Sequence, residues 1–181
     1  MRADAQANRE RILAAAEEVF SAAGEAGSTD EIARRAGVGI GTVFRHFPAK
    51  QDLIEATLVR HFEGLTAQAR ALADSDPAAA LRELIEAMVD TGATKLLMIG
   101  WLRDTSGTLP DAAMRASQQT RRAVGALLRR AQAADAIRPD VSVDEVYLLV
   151  RGLALGATQR PIKPAIQRKA LDIVLAGLAA S

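Results

Sequence analysis

An all-α chain is predicted: an N-terminal three-helix helix-turn-helix head over residues 1–50 and a larger C-terminal helical body over 51–181. Three observations predict it. Hydrophobic residues make up 49% of the 181, many of them Ala and Leu, which favour helix. Apolar positions recur at helical spacing, and no stretch alternates convincingly with period two. The run from Ser28 to Pro48 reads as two short helices joined by a glycine turn.

The first helix is expected from about Asp4 or Asn8 to Ala23, with Ile12, Ala16, Val19, Phe20 and Ala23 on one face and Gly24 ending it. Ser28 is the next N-cap, with Glu31 three residues on completing a capping box. Ile32, Ala33 and Ala36 give the second helix its buried face. Gly37-Val38-Gly39 is the turn, with Val38 pointing inward. A third helix spans Ile40 to Phe47, ended by Pro48, which biases its predecessor out of helical geometry. A fourth runs from Lys50 to about Ala73, carrying Leu53, Ile54, Leu58, Phe62 and Leu65.

Asp76-Pro77 opens a helix to about Gly92, followed by a separate segment from Ala93 to about Arg103. Thr105 to Pro110 is a loop, and Pro110 to Ala136 another helix. Ser142 and Glu145 form a second capping box, starting a helix to about Thr158. Arg160 to Pro164 is a proline-marked loop before a last helix from Ala165 to Ala180.

Charge narrows the functional classes. The net charge is +1, from 23 Lys and Arg against 22 Asp and Glu, so any polyanion must be met by local asymmetry. From Arg34 to Lys50 the chain carries Arg34, Arg35, Arg45 and Lys50 and no carboxylate. A second helix of that kind can enter the DNA major groove without repelling phosphates. Val43 and Phe47, one turn apart, should face inward; Ile40, Gly41, Phe44 and Arg45 then face base edges, with Thr42, His46 and Lys50 placed for phosphates. Arg34 and Arg35 read as a solvated face near the DNA backbone rather than base readers.

Other chemistries find little support. There are no cysteines, which excludes disulfides, thiolate catalysis and Cys-ligated zinc. A di-metal bundle needs Glu-x-x-His pairs, and neither His46 nor His61 has an acid three residues before it. No phosphate-cradling glycine loop or nucleophile arrangement occurs, so no enzyme, metal or cofactor is expected; a helical-bundle enzyme is the distant alternative. The apolar run from Val146 to Val150 stops at Arg151, far short of a bilayer span, and no signal peptide is recognisable. A cytoplasmic protein without membrane contact is expected.

At Thr42-Val43-Phe44-Arg45-His46-Phe47-Pro48-Ala49-Lys50, preceded by Asp30-Glu31-Ile32-Ala33 and Gly37-Val38, the chain resembles the N-terminal signature of the tetracycline-repressor (TetR) family, over about Asn8 to Leu58. The resemblance implies a homodimer with DNA-binding heads and a body that dimerises through its last two long helices and holds a small-molecule pocket. By position it assigns phosphate contacts to Thr29, Thr42, His46 and Lys50, and groove-facing roles to Ile40, Gly41, Phe44 and Arg45. Phe44 departs from the Tyr usual in the family, and Gly39 and Gly41 leave the start of the recognition helix without polar reach. Base readout should therefore lean on Arg45, with DNA shape supplying much of the selectivity.

In the body, Val143 to Ala157 is apolar nearly all round and must be covered on more than one side. Gly152 and Gly156 leave a flat strip on it, and Ile166, Ala170, Ile173, Val174 and Leu178 repeat the theme in the last helix, so a symmetric four-helix interface is expected. Met88, Thr91, Leu97, Met98, Trp101, Met114, Gln118, Tyr147 and Arg151 are the candidate pocket residues, suiting a small hydrophobic or amphipathic effector. Arg151, a charge in an apolar helix, should be paired or face a cavity. The expected function is a ligand-released repressor on a pseudo-palindromic operator; the alternative is a helix-turn-helix regulator without a small-molecule effector.

Overall fold

The computed structural model describes residues 2–159 and 162–180. Eight α-helices organise them: α1 (Arg2–Ala23), α2 (Thr29–Ala36), α3 (Ile40–His46), α4 (Lys50–Ala71), α5 (Pro77–Ser106), α6 (Asp111–Ala133), α7 (Val143–Gln159) and α8 (Pro164–Leu178). Strand-like pairing among the described residues is limited to one isolated antiparallel bridge, Ile137 with Ala179. The all-α expectation holds. Arg160 and Pro161, in the expected loop before α8, lie outside the described residues.

The chain divides into two compact units, Met1–His61 with Leu97–Arg115, and Phe62–Leu96 with Ala116–Ser181. In the first, Ile12, Leu13, Ala16, Val19 and Phe20 of α1 are buried together with Ile32, Ala33, Ala36, Val43, Phe47, Leu53, Ile54 and Leu58. Helical spacing assigned these positions to the inside, Leu13 excepted, whereas Ala23, expected on the same face at the end of α1, is exposed. Trp101 meets the Phe20 ring edge-on, with centroids 6.0 Å apart. Arg60 bonds Glu17 at 2.5 Å, and His61 Nδ1 lies 3.9 Å from the same carboxylate, clasping α4 to α1.

The second unit packs Leu65, Leu81, Leu84, Ile85, Met88, Val124, Leu127, Leu128, Val146, Val150, Leu171 and Leu178 into one cluster. A buried polar contact lies beside it. The Thr120 hydroxyl donates to the Phe62 carbonyl at 2.9 Å and lies 3.1 Å from the Thr66 hydroxyl, so neither hydroxyl is left unsatisfied.

One expected boundary is wrong. Gly92 does not end a helix: α5 continues unbroken for 30 residues, from Pro77 to Ser106. A Cβ at Gly92 would stand 2.7 Å from the Ala154 Cβ, so this glycine lets α5 and α7 approach closely. The start of α5 is as expected, with Asp76 Oδ1 accepting from the Ala79 N–H at 2.8 Å. The cap before α7 forms with one change: the Ser142 N–H donates to the Glu145 carboxylate at 2.8 Å, while the Ser142 hydroxyl accepts from the Asp144 N–H at 3.1 Å, one residue before the position a full capping box uses.

Candidate nucleic-acid interface

The interface begins with how α2 starts and stops. The Glu31 N–H donates to the Ser28 hydroxyl at 3.1 Å, fixing the first turn. Gly37 ends α2 at φ 65°, a left-handed conformation that glycine adopts without steric cost, and its N–H returns to the carbonyls of Ala33 and Arg34. Gly39 is the N-cap of α3, and Phe47 leaves helical geometry at φ −138° ahead of Pro48. Local chemistry thus sets where the two short helices start and stop, and their buried residues seat them on the core of the first unit.

Burial then sorts the faces of α3. Val43 and Phe47 are buried, as their one-turn spacing requires. Ile40 is 36% and Phe44 46% exposed, and Gly41 and Arg45 are exposed beside them. Large apolar side chains left in water on a seven-residue helix are unusual unless something covers them. Thr42 and His46 are half-buried at the flanks, and the His46 ring tilts against Phe47, with centroids 6.2 Å apart. Thr29, at the first position of α2, is half-buried. Neither Gly39 nor Gly41 has an atom within 4 Å of where a Cβ would stand, so packing within the chain does not demand a glycine at either position.

The cations are arranged unevenly. Glu31 bonds Arg34 at 2.7 and 2.8 Å and Arg35 at 2.7 Å. These guanidinium bonds hold its carboxyl down at about 2. The last turn of α2 is therefore largely self-neutralised, and the Glu31 carboxylate faces Arg34 and Arg35 where a capping box is expected. The i, i+3 and i, i+4 spacing from Glu31 to Arg34 and Arg35 was the signal for this pairing. Lys50, at the start of α4, is half-buried and donates to the Glu25 carbonyl. The outward face of α3, with Ile40, Gly41, Phe44 and Arg45, carries no acid.

The candidate pocket residues divide between the two units. Within the second unit Met88 is fully buried, Thr91 and Tyr147 are half-buried, and Gln118 and Arg151 are exposed. Within the first, Met98 is buried, Trp101 half-buried, and Leu97 and Met114 exposed. Gln118 lines a shallow cleft of about 380 Å³ with Arg121, Arg122, Gly125, Arg129 and Val143. Tyr147 lies under the Arg121 guanidinium, 5.2 Å from its ring centroid, and burial pushes its hydroxyl up to about 12. Arg151, expected to be paired or to face a cavity, instead follows the outward face of α7 with Leu148, which is 70% exposed, and Leu155. The physical reason is that this chain alone leaves one side of α7 uncovered.

Comparison with known proteins agrees with the geometry. Residues 12–63 match the domain described as bacterial regulatory proteins, tetR family, and residues 76–180 match the SbtR-like transcriptional regulator C-terminal domain. The solved structure of a TetR transcriptional regulator from Streptomyces coelicolor is 36% identical over 96% of this chain and 99% of that one, with a TM-score of 0.82. A TetR regulatory protein from Mycobacterium vanbaalenii is 34% identical over 99% of both chains, with a TM-score of 0.79. The curated relatives match over shorter stretches. The HTH-type transcriptional regulator SrpR of Pseudomonas putida is 47% identical over 57 residues, which are 31% of this chain and 27% of that protein. With a helix-turn-helix whose outward face is free of acid, both domain matches and full-length structural kinship, the chain belongs to the TetR family of DNA-binding transcriptional regulators.

Proposed function

We propose that the protein is a homodimeric repressor that grips a pseudo-palindromic operator and lets go when a small hydrophobic or amphipathic effector enters its body. The observation that carries DNA recognition is the exposed face of Ile40, Gly41, Phe44 and Arg45, which presents apolar surface and one cation to a groove. Arg45 reads a base edge, Phe44 and Ile40 supply apolar contact, and Thr29, Thr42, His46 and Lys50 meet phosphates. Self-pairing is supported by Leu148 and Leu155 on α7 and Ile166 and Ile173 on α8, which are between 39% and 70% exposed in the single chain. Two copies joined there would hold their α3 helices about 34–36 Å apart, one turn of duplex. The effector reading assigns the ligand to the second unit, around Thr91 and Tyr147. For release, that ligand must favour the non-binding state energetically.

The test is a gel shift with DNA from the upstream region of the chain's own gene. Specific retention is expected, with Arg45→Ala relaxing preference at one position per half-site by about 1–3 kcal/mol. Equal loss on all sequences would make Arg45 a backbone contact. No retention of any duplex at low salt would overturn the reading.

A further inference from the structure

The second unit holds a cation that DNA binding does not use. Lys95 lies in the apolar middle of α5, and no acid stands one turn away from it on either side: Thr91, Gly92, Met98 and Ile99 occupy those positions. Among the described residues no carboxylate pairs with it, and the Phe62 ring lies 5.6 Å from its ammonium. Burial pulls the amine down to about 8, with no opposite charge acting against it. Its Nζ is nevertheless not sealed, because no buried side-chain N or O in the described residues lacks both solvent and partner. A cation in that position is costly without a counter-charge and well placed to receive one that enters from outside.

We propose that Lys95 is the anchor for the head group of the effector, which is a small organic carboxylate with an apolar body. One ammonium matches one negative charge. Lys95 is the only Lys or Arg on α5 between Arg82 and Arg103, so a doubly charged phosphate would lack a second cation from this helix. The Phe62 ring beside the ammonium offers apolar surface, while the Thr91 hydroxyl one turn earlier donates to the Ala87 carbonyl at 2.7 Å. Phe62 is itself buried, and its carbonyl accepts the Thr120 hydroxyl at 2.9 Å. The proposal deepens the effector reading above and rests on it.

The experiment uses the full chain and paired probes: decanoate against 1-decanol and benzoate against benzyl alcohol, read by thermal shift and calorimetry. At least one acid should raise the melting temperature where its alcohol does not, and Lys95→Met should weaken that acid tenfold or more. On the unmutated protein, the acid should slow acetylation of Lys95 by an N-hydroxysuccinimide ester at pH 8 at least threefold, by peptide mapping. Alcohols binding as well as acids, no acid binding at all, or undiminished acid binding by Lys95→Met with Lys95 unprotected, would overturn it. Release from DNA by a neutral compound, with equal potency on Lys95→Met, would overturn this anchor and leave the effector reading intact. Acid binding that needs Lys95 but never alters DNA retention would uphold the anchor and overturn the effector reading.

Discussion

The Lys50 ammonium donates to the Glu25 carbonyl, joining the first turn of α4 to the short turn that follows α1. A lysine held by one carbonyl keeps two N–H donors for a phosphate. Lys50→Ala should lower the slope of log affinity against log salt by about one and weaken all duplexes alike. Measured by fluorescence anisotropy from low to moderate salt, an unchanged slope would leave Lys50 a purely structural strut.

Gly41 separates folding from DNA binding. Its Cβ space is empty and it lies inside α3, so Gly41→Ala should add up to about 1 kcal/mol of stability. If the glycine exists to bring backbone close to DNA, operator affinity should fall in the same variant. Urea unfolding and anisotropy on one preparation would show whether the two effects oppose each other.

Pairing of chains can be tested on the uncovered face. Leu148→Asp and Ile173→Asp each place a carboxylate on a residue at least 66% exposed in the single chain, so the fold should survive. In a dimer they would desolvate that charge, and sedimentation at micromolar concentration should show monomers with weakened operator binding. A dimer unaffected by both substitutions would move the interface elsewhere.

Acid should loosen the clasp between α1 and α4. Glu17 is held below its ordinary 4.5, chiefly by the hydrogen bond from His61 and with help from Arg60. A depressed carboxylate contributes stability that is present above about 4.5 and lost as pH falls through the folded value. Thermal melts from pH 6 downward should show this decline, with a shallower acid limb in Glu17→Gln.

Lys95 shares that direction of pH dependence, but here folding penalises the charged form instead of favouring it. Its amine is lowered from 10.5 to about 8, so between those values the unfolded chain holds a proton that the folded one has released. Stability from this group therefore rises with pH through that window. Lys95→Met should stabilise the protein by about 1–3 kcal/mol at pH 7, with the advantage shrinking toward pH 10. Denaturant unfolding at the two pH values measures it.

What was legible in the sequence was local. Ser28, Gly37 and Pro48 set helix ends through bonds and sterics within a few residues, so the head could be drawn closely. Val43 and Phe47 faced inward for the same reason. Gly92 was misread because its partner is Ala154, a contact that exists only once α5 and α7 have packed. Lys95 follows the same rule: no local pattern marks a lysine in a helix, and its place beside the Phe62 ring exists only once α4 and α5 have packed. The face that Arg151 takes depends on what covers α7, which no spacing rule within one chain can say.

The small bridge at Ile137 has a consequence for turnover. The Ala180 N–H donates to the Ala136 carbonyl and the Arg138 N–H to the Leu178 carbonyl. Any force that unfolds this part of the chain must strip these bonds before it can peel α8 away. Survival of the protein between rounds of synthesis would then depend on a few backbone bonds far in sequence from the recognition helix.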